Sequence, residues 1–263
     1  MKTYKLGVIG CGEMAYAVLQ GAVASGILKA EDIICSARKE VSLEKCKREG
    51  YATTLDNALV ARECEFLLFG VRPQDFPAAA EFVNGLCDKV ISIMAGVSSE
   101  KIKALTGAKR VCRCMPNLPC RIGYGMCGVD VSDFCKEDSD FLLSLFAARG
   151  KSVAVSEDML AAVTGISGSG PAYVYYFLES MVKSGVKLGL DEKTARELAV
   201  QTVIGGAKMV ESTDRSFEEL ISSVCSKGGT TIEAIESFKS DRLDESIDRG
   251  ICACVKRAKE LSK

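Results

Sequence analysis

Short apolar runs and longer amphipathic stretches alternate through the first part of the chain. The apolar runs predict strands and the stretches between them predict helices, a pattern typical of βαβ units around a parallel sheet. The predicted strands are residues 4–9, 32–36, 65–71, 89–94, 110–115, 125–130 and 152–155. The predicted helices are residues 13–25, 43–49, 55–61 and 75–87.

From about residue 156 onward, the pattern changes to long helical stretches separated by turns. Pro171 follows a run of small residues and suits the first turn of a helix. Residues 172–178 are apolar around the whole helix, which favours burial against a second copy of the chain over a central position within one subunit. We therefore expect an α/β chain with a parallel-sheet domain over residues 1–155 and an all-helical dimerisation domain over residues 156–263.

Charge and composition exclude several classes of function. The 263 residues carry 34 basic and 35 acidic side chains, so a phosphate-tracking nucleic-acid surface is not expected. No stretch has the length of uncharged apolar sequence that a membrane span needs, and glycines break the apolar run near the N-terminus, which indicates a cytosolic start.

The 13 cysteines are odd in number and lack C-x-x-C spacing, and there is no histidine. We expect reduced thiols that pack as small apolar groups, and no metal site. Without histidine, any general acid or base must be a carboxylate, Lys, Tyr, Cys, a hydroxyl or water.

A glycine motif follows the first predicted strand and opens the first predicted helix. Gly10 permits a tight turn, Gly12 lets the backbone approach a pyrophosphate, and Ala15 allows close packing of helix and strand. The helix N-terminus offers unpaired N–H groups to that anion, and Glu13 and Met14 lie in its first turn. The N-terminal domain is therefore predicted to be Rossmann-type and to bind a nicotinamide dinucleotide.

The end of the second strand indicates which dinucleotide is bound. Ser36, Arg38 and Lys39 place a hydroxyl and two cations where a carboxylate would contact the ribose of NAD, which favours the 2′-phosphate of NADP. A solvated basic loop is the alternative, and Glu40 would offset part of its charge. After the strand ending near Phe69, the residues Val71, Arg72 and Pro73 lie at the carboxyl edge of the sheet, where ligands bind, although Pro73 also suits an ordinary loop.

Five segments in order give the chain a resemblance to pyrroline-5-carboxylate reductase that covers essentially its whole length. The two most specific are residues 165–173 (GISGSGPAY) and 226–231 (SKGGTT). The others are the glycine motif, residues 71–74 (VRPQ) and residues 113–119 (RCMPNLP).

The resemblance implies reduction of 1-pyrroline-5-carboxylate to L-proline, the last step of proline biosynthesis, with NADPH as cofactor and NADH as the alternative. It implies an intertwined homodimer, larger rings built from such dimers, and a substrate pocket where residues 226–231 of one subunit meet the cofactor domain of its partner. Pro116 and Asn117 would lie near the nicotinamide. The cofactor site would otherwise be lined by Gly10, Gly12, Ser36, Arg38, Val71, Arg72 and Pro73.

The implied substrate loop fits that role physically. Ser226, Gly228, Gly229, Thr230 and Thr231 precede a predicted helix, whose exposed N–H groups suit a substrate carboxylate. We assign Thr231 a catalytic hydrogen bond to the ring nitrogen. A plain helix cap by Thr230 or Thr231 is the alternative.

Three residues depart from the family pattern. Cys225 and Lys227 stand in a loop that commonly reads Thr-Ser-Pro-Gly-Gly in the family, which puts the stiffness of the loop and its carboxylate contacts in doubt. Glu13 replaces a frequent asparagine beside the expected pyrophosphate, where it would cap the helix or weaken cofactor binding.

Two other functions compete with this interpretation. β-Hydroxyacid dehydrogenases share the two-domain plan and a similar glycine-rich segment, but Val174 and Leu178 stand where that family has its lysine and asparagine. A non-catalytic NADP-binding protein is supported only by Cys225 and Lys227, and the intact Gly-Gly-Thr-Thr run after them argues against it.

Overall fold

The computed structural model describes residues 3–261, and within that range eight strands form one sheet. Their spatial order is β3-β2-β1-β4-β5-β6-β7-β8, and neighbours run parallel except for β6 and β7. The first six strands have the order of a dinucleotide-binding sheet, which confirms the Rossmann-type prediction. The strands are β1 Tyr4–Ile9, β2 Ile33–Ser36, β3 Ala52–Thr54, β4 Cys64–Phe69, β5 Lys89–Ser92, β6 Arg110–Pro116, β7 Gly125–Val129 and β8 Gly150–Ala154.

The central strands are apolar at nearly every position because both faces of the sheet are covered. Leu6 and Val8 of β1 pack into the core on one face, and Ile9 packs into the core on the other. In β4, Phe66 and Phe69 divide between the two cores in the same way. This double burial fixes the strand ends at which the dinucleotide site is predicted.

Helices connect the strands in the first part of the chain. They are α1 Glu13–Ala24, α2 Glu44–Arg48, α3 Asn57–Glu63, α4 Phe76–Ala80, α5 Ser99–Thr106, α6 Lys136–Ala147 and α7 Leu160–Val163. The helix predicted over residues 75–87 is wrong beyond Ala80, because the amide of Gly85 donates to the carbonyl of Thr106 instead of continuing the helix.

The rest of the chain is helical, as predicted. It contains α8 Gly170–Lys187, α9 Glu192–Glu211, α10 Phe217–Val224, α11 Thr230–Ser240 and α12 Leu243–Leu261. Among the described residues, none of these helices or the earlier ones is both long and apolar enough to cross a membrane.

The chain divides into two units. One contains the residues up to Pro171 together with those from Cys254 onward, and the other is Ala172–Ala253. The boundary that the sequence places after residue 155 stays a prediction, and its outer ends at residues 1, 2, 262 and 263 lie outside the described range.

Within the described part of the second unit, only Ala195 and Ala199 are fully buried. Large apolar side chains are exposed instead: Tyr176 is 74% exposed, Phe217 71% and Leu188 86%. Apolar surface on this scale is typical of a face that a partner covers.

Candidate dinucleotide and substrate sites

The turn between β1 and α1 has the geometry that its glycines predict. Gly10 has a φ of 86°, and its amide donates to the carbonyl of Ser36 over 3.0 Å. A Cβ at Gly10 would overlap the Cγ1 of Val71. Both the left-handed backbone and the close approach of the β4 end therefore require glycine here.

Gly12 has a different role. It is the N-cap of α1 with an extended backbone, and no side chain caps the helix there. A Cβ at Gly12 would meet only the carbonyl oxygen of Gly70, at an ordinary 3.7 Å. Because the protein itself leaves this space open, the first-turn N–H groups of α1 are accessible to an anion.

A cleft of about 910 Å³ lies over this turn. Its walls are the β1–α1 turn, the segment that follows β2 together with α2, and the residues that follow β4. Six of the predicted cofactor residues line it: Gly10, Gly12, Arg38, Lys39, Val71 and Arg72. The other five, which do not line it, are Glu13, Met14, Ser36, Pro73 and Asn117.

Two of the lining cations share one carboxylate. Nε of Arg72 donates to Asp75 over 2.8 Å, and a guanidinium nitrogen of Arg38 lies 3.4 Å from the other carboxylate oxygen. The hydrogen bond from Arg72, aided by the charge of Arg38, lowers the pKa of Asp75. Asp75 thus holds both guanidinium groups at the rim of the cleft.

Two further cations also line the cleft. Lys45 and Arg48 come from α2, which follows the predicted basic loop. No sequence motif marks them, because their position depends on how α2 lies against the end of β2. Together with Arg38 and Lys39 they place four cations in this wall of the cleft, beside the one carboxylate of Glu44, which suits a dinucleotide with an extra phosphate.

Ser36 lies under the cleft instead of in its wall. The side chain is buried, and its hydroxyl donates to the Oδ1 of Asn57 over 2.7 Å. Asn57 lines the cleft and anchors its own amide nitrogen on the carbonyl of Ala79 at 3.0 Å. Direct contact between Ser36 and a cofactor stays a prediction, and in this structure the hydroxyl positions Asn57.

Glu13 does not cap α1, since no side chain caps that helix at its N-cap residue, Gly12. Its carboxylate pairs with Lys45 at 3.0 Å and with Arg121 at 3.5 Å. The hydrogen bond from Lys45, with the charges of Lys45 and Arg121, lowers the pKa of Glu13. The negative charge beside the expected pyrophosphate is therefore compensated by two cations.

Three further residues predicted for the cofactor site make local contacts outside the lining of the cleft. The Sδ of Met14 accepts from the thiol of Cys120 at 3.3 Å. Pro73 begins a single 3-10 turn at the first position, where its missing N–H costs nothing. Asn117 is buried, accepts from the amide of Met126 at 2.9 Å and donates to the carbonyl of Ser167 at 3.0 Å, so it fixes the chain where β6 ends.

The predicted substrate loop lies in the second unit, at the start of α11. Gly228 has a φ of 72°, and the amide of Gly229 donates to the carbonyl of Ser226 over 2.9 Å. A Cβ at Gly229 would overlap the Oγ of Ser226, so a larger residue here would displace that hydroxyl. Cys225 is half-buried at the end of α10, and Lys227 is exposed.

Gly229 is also the N-cap of α11, and no side chain caps this helix. The alternative in which Thr230 or Thr231 caps it is therefore wrong. Both threonines are exposed in the first turn, so the helix start combines open N–H groups with two hydroxyls. Such a helix end can bind a carboxylate without a cationic side chain.

Comparison with known proteins agrees with both halves of the chain. Residues 157–261 match the family described as pyrroline-5-carboxylate reductase dimerisation, so this part is a dimerisation domain. Residues 5–96 match the family described as NADP oxidoreductase, coenzyme F420-dependent, so the sheet domain is an NADP-binding domain.

Relatives that match over the whole chain are named pyrroline-5-carboxylate reductase. A pyrroline-5-carboxylate reductase from Methanosarcina acetivorans is 35% identical over 269 residues, covering 100% of both chains. The structure of a pyrroline-5-carboxylate reductase from Coxiella burnetii matches with a TM-score of 0.92 and 32% identity over 100% of both chains. A pyrroline carboxylate reductase from Plasmodium falciparum with NADP bound matches with a TM-score of 0.85 and 26% identity, again over 100% of both. The chain therefore belongs to the pyrroline-5-carboxylate reductase family.

Proposed function

We propose that two helix starts with a glycine at the N-cap, Gly12 of α1 and Gly229 of α11, are the two anion sites of a single reaction. The chain is an NAD(P)H-dependent oxidoreductase that reduces 1-pyrroline-5-carboxylate to L-proline, the last step of proline biosynthesis. Both reactants carry anionic groups, the pyrophosphate of the cofactor and the carboxylate of the substrate. The glycine N-cap at both helix starts, which brings no side chain to the first-turn N–H groups, is the observation that carries the proposal.

The residues of the first cleft fit the cofactor. The open first turn of α1 binds the pyrophosphate, and Gly12 supplies the room for it. Arg38 and Lys39 bind the 2′-phosphate, with Lys45 and Arg48 adding positive charge, so NADPH is preferred to NADH. Asn117 holds the backbone near the nicotinamide end. NADPH supplies the hydride when it is bound.

The start of α11 binds the substrate carboxylate through the N–H groups of its first turn. Thr231 then places its hydroxyl against the ring nitrogen and orients the proton there. A protonated cyclic imine accepts hydride readily, so the reaction needs no strong side-chain acid. This explains how a chain without histidine can perform it.

We further propose that each active site is shared. The loop of residues 226–231 from one subunit serves the cofactor domain of its partner, and dimers assemble into a larger ring. The exposed apolar faces of the second unit favour tight association. Sedimentation analysis would give a mass of two subunits or more, and a monomer that retains full activity would contradict the shared site. The cytosolic location stays a prediction.

The role of Thr231 is tested by comparing Thr231→Val with Thr231→Ser. We expect kcat/KM for NADPH oxidation with pyrroline-5-carboxylate to fall about tenfold or more in the valine variant, since a hydrogen bond to the reacting ring is lost. The serine variant keeps the hydroxyl and should stay close to wild type. A valine variant with unchanged turnover and unchanged substrate affinity would exclude this role.

A further inference from the structure

Three cysteines meet beneath the dinucleotide turn. Cys11 lies in the turn itself, Cys35 on β2 and Cys46 on α2, and all three are buried. Their Sγ atoms lie within 4.8 Å of one another, and those of Cys11 and Cys46 are 3.2 Å apart. The separations of 24 and 11 residues hide this cluster in the sequence, and only the packing of α2 over the sheet creates it.

The spacing matches the demands of a single metal ion. Three sulfurs held at about 2.3 Å from one ion are about 3.8 to 4.0 Å from each other, so shifts of well under 1 Å would complete the site. Thiolates prefer soft ions, and three of them without a fourth ligand suit Cu(I) better than Zn(II).

We propose that Cys11, Cys35 and Cys46 form a binding site for one soft d10 metal ion, with Cu(I) as the favoured occupant. Each thiol loses its proton to the solvent when it binds the ion, and no redox step is involved. The site joins three elements that also form the cofactor cleft, because Cys11 and Lys45 both line it.

Occupancy of this site opposes cofactor binding. Three thiolates outweigh the charge of a monovalent or divalent ion, so the loaded site is a net anion next to the turn that receives the pyrophosphate. The ion also fixes Cys11 between Gly10 and Gly12. Linkage then requires that NADPH weakens metal binding by the same factor by which the metal weakens NADPH binding.

The test uses the full-length, fully reduced protein without oxygen. Cu(I), and in a second arm Cd(II), is titrated in the presence of a competing chelator, which removes ions from exposed thiols. We expect one retained ion per chain, three sulfur neighbours by X-ray absorption, and a higher thermal unfolding temperature because the ion binds the folded state. No retained ion would overturn the proposal and leave the thiols as packing groups.

Variants identify the ligands. We expect Cys46→Ser to weaken metal binding at least about tenfold, and Cys11→Ala to do the same. Removing a group that only hydrogen-bonds to a metal ligand already costs about tenfold in affinity, and loss of a ligand should cost at least as much. Cys127→Ser is the matched control, since Cys127 is equally buried but donates to the carbonyl of Gly128. Loss of binding in the control, or retention in both ligand variants, would place the ion elsewhere. Equal affinity for NADPH with and without the ion would refute the linkage.

Discussion

At the scale of single residues, the two glycines of the dinucleotide turn have different surroundings. Gly10 is enclosed by the protein and has a left-handed backbone. Gly12 is extended and open. The motif predicts both glycines equally, and the structure distinguishes the enclosed Gly10 from Gly12, whose surroundings are open.

This difference predicts opposite effects for two alanine substitutions. Gly12→Ala should keep the unfolding temperature and raise the KM for NADPH, because the new methyl group occupies the space of the pyrophosphate. Gly10→Ala should lower the free energy of unfolding by about 1–2 kcal/mol or more, from backbone strain and from overlap with Val71. Thermal melts with NADPH titrations measure both effects. A Gly12→Ala protein that binds NADPH normally would remove Gly12 from the site.

Arg38 should decide between the two nicotinamide cofactors. Removing its guanidinium in Arg38→Ala costs a charged hydrogen bond to the 2′-phosphate, worth about 1.5–3 kcal/mol, so the KM for NADPH should rise about tenfold or more. The KM for NADH should not change. Lys47→Ala is the control, because this exposed lysine pairs with Glu40 and does not line the cleft. Equal effects on both cofactors would show that Arg38 does not contact the phosphate.

Residue type alone does not predict which side chains line the cleft. Ser36 is predicted as a cofactor contact because it ends β2, and in the structure its hydroxyl is buried and donates to Asn57. Lys45 and Arg48 were missed because no motif specifies the orientation of a short helix. The sequence therefore predicts where the cleft lies, because the glycines of the turn are required by the backbone. It does not predict the contacts of side chains whose direction depends on tertiary packing.

At the scale of elements, the strand and helix around the glycine motif were predictable, and several elements elsewhere in the sheet domain were not. Strand β1 and helix α1 follow the predicted bounds within one residue. Strand β3, Ala52–Thr54, was missed because three residues are too few for a pattern, and α5 and α6 were also missed. These elements depend on burial against the existing sheet, which a local pattern does not contain.

Two substitutions at the start of α11 can distinguish the role of the backbone N–H groups from the role of the threonine hydroxyls. Thr230→Pro removes one N–H but suits the first turn of a helix, so the fold should persist. We expect the KM for pyrroline-5-carboxylate to rise about tenfold, since the lost N–H served a charged carboxylate. Thr230→Ala keeps the N–H and should change the KM little. Steady-state kinetics compare the two, and an equal effect in both would assign the role to the hydroxyl.

At the scale of the whole molecule, the second unit does not bury enough of its own apolar surface. Tyr175 is 57% exposed and Phe177 48%, on a helix that the sequence predicts to be apolar all round. Exposure of these rings in one chain agrees with a dimerisation domain whose partner covers them. In the proposed enzyme, the partner that covers these rings also completes each active site.

Hybrid dimers test that central claim directly. One subunit carries Gly12→Asp, which blocks the pyrophosphate site, and the other carries Gly229→Val, whose side chain requires the space of the Ser226 hydroxyl. Each parent dimer should be inactive. If the site combines the cofactor domain of one subunit with the loop of its partner, a purified hybrid contains one intact site of two. NADPH oxidation with pyrroline-5-carboxylate should then return to about half of the wild-type rate. A hybrid as inactive as its parents would contradict the shared site.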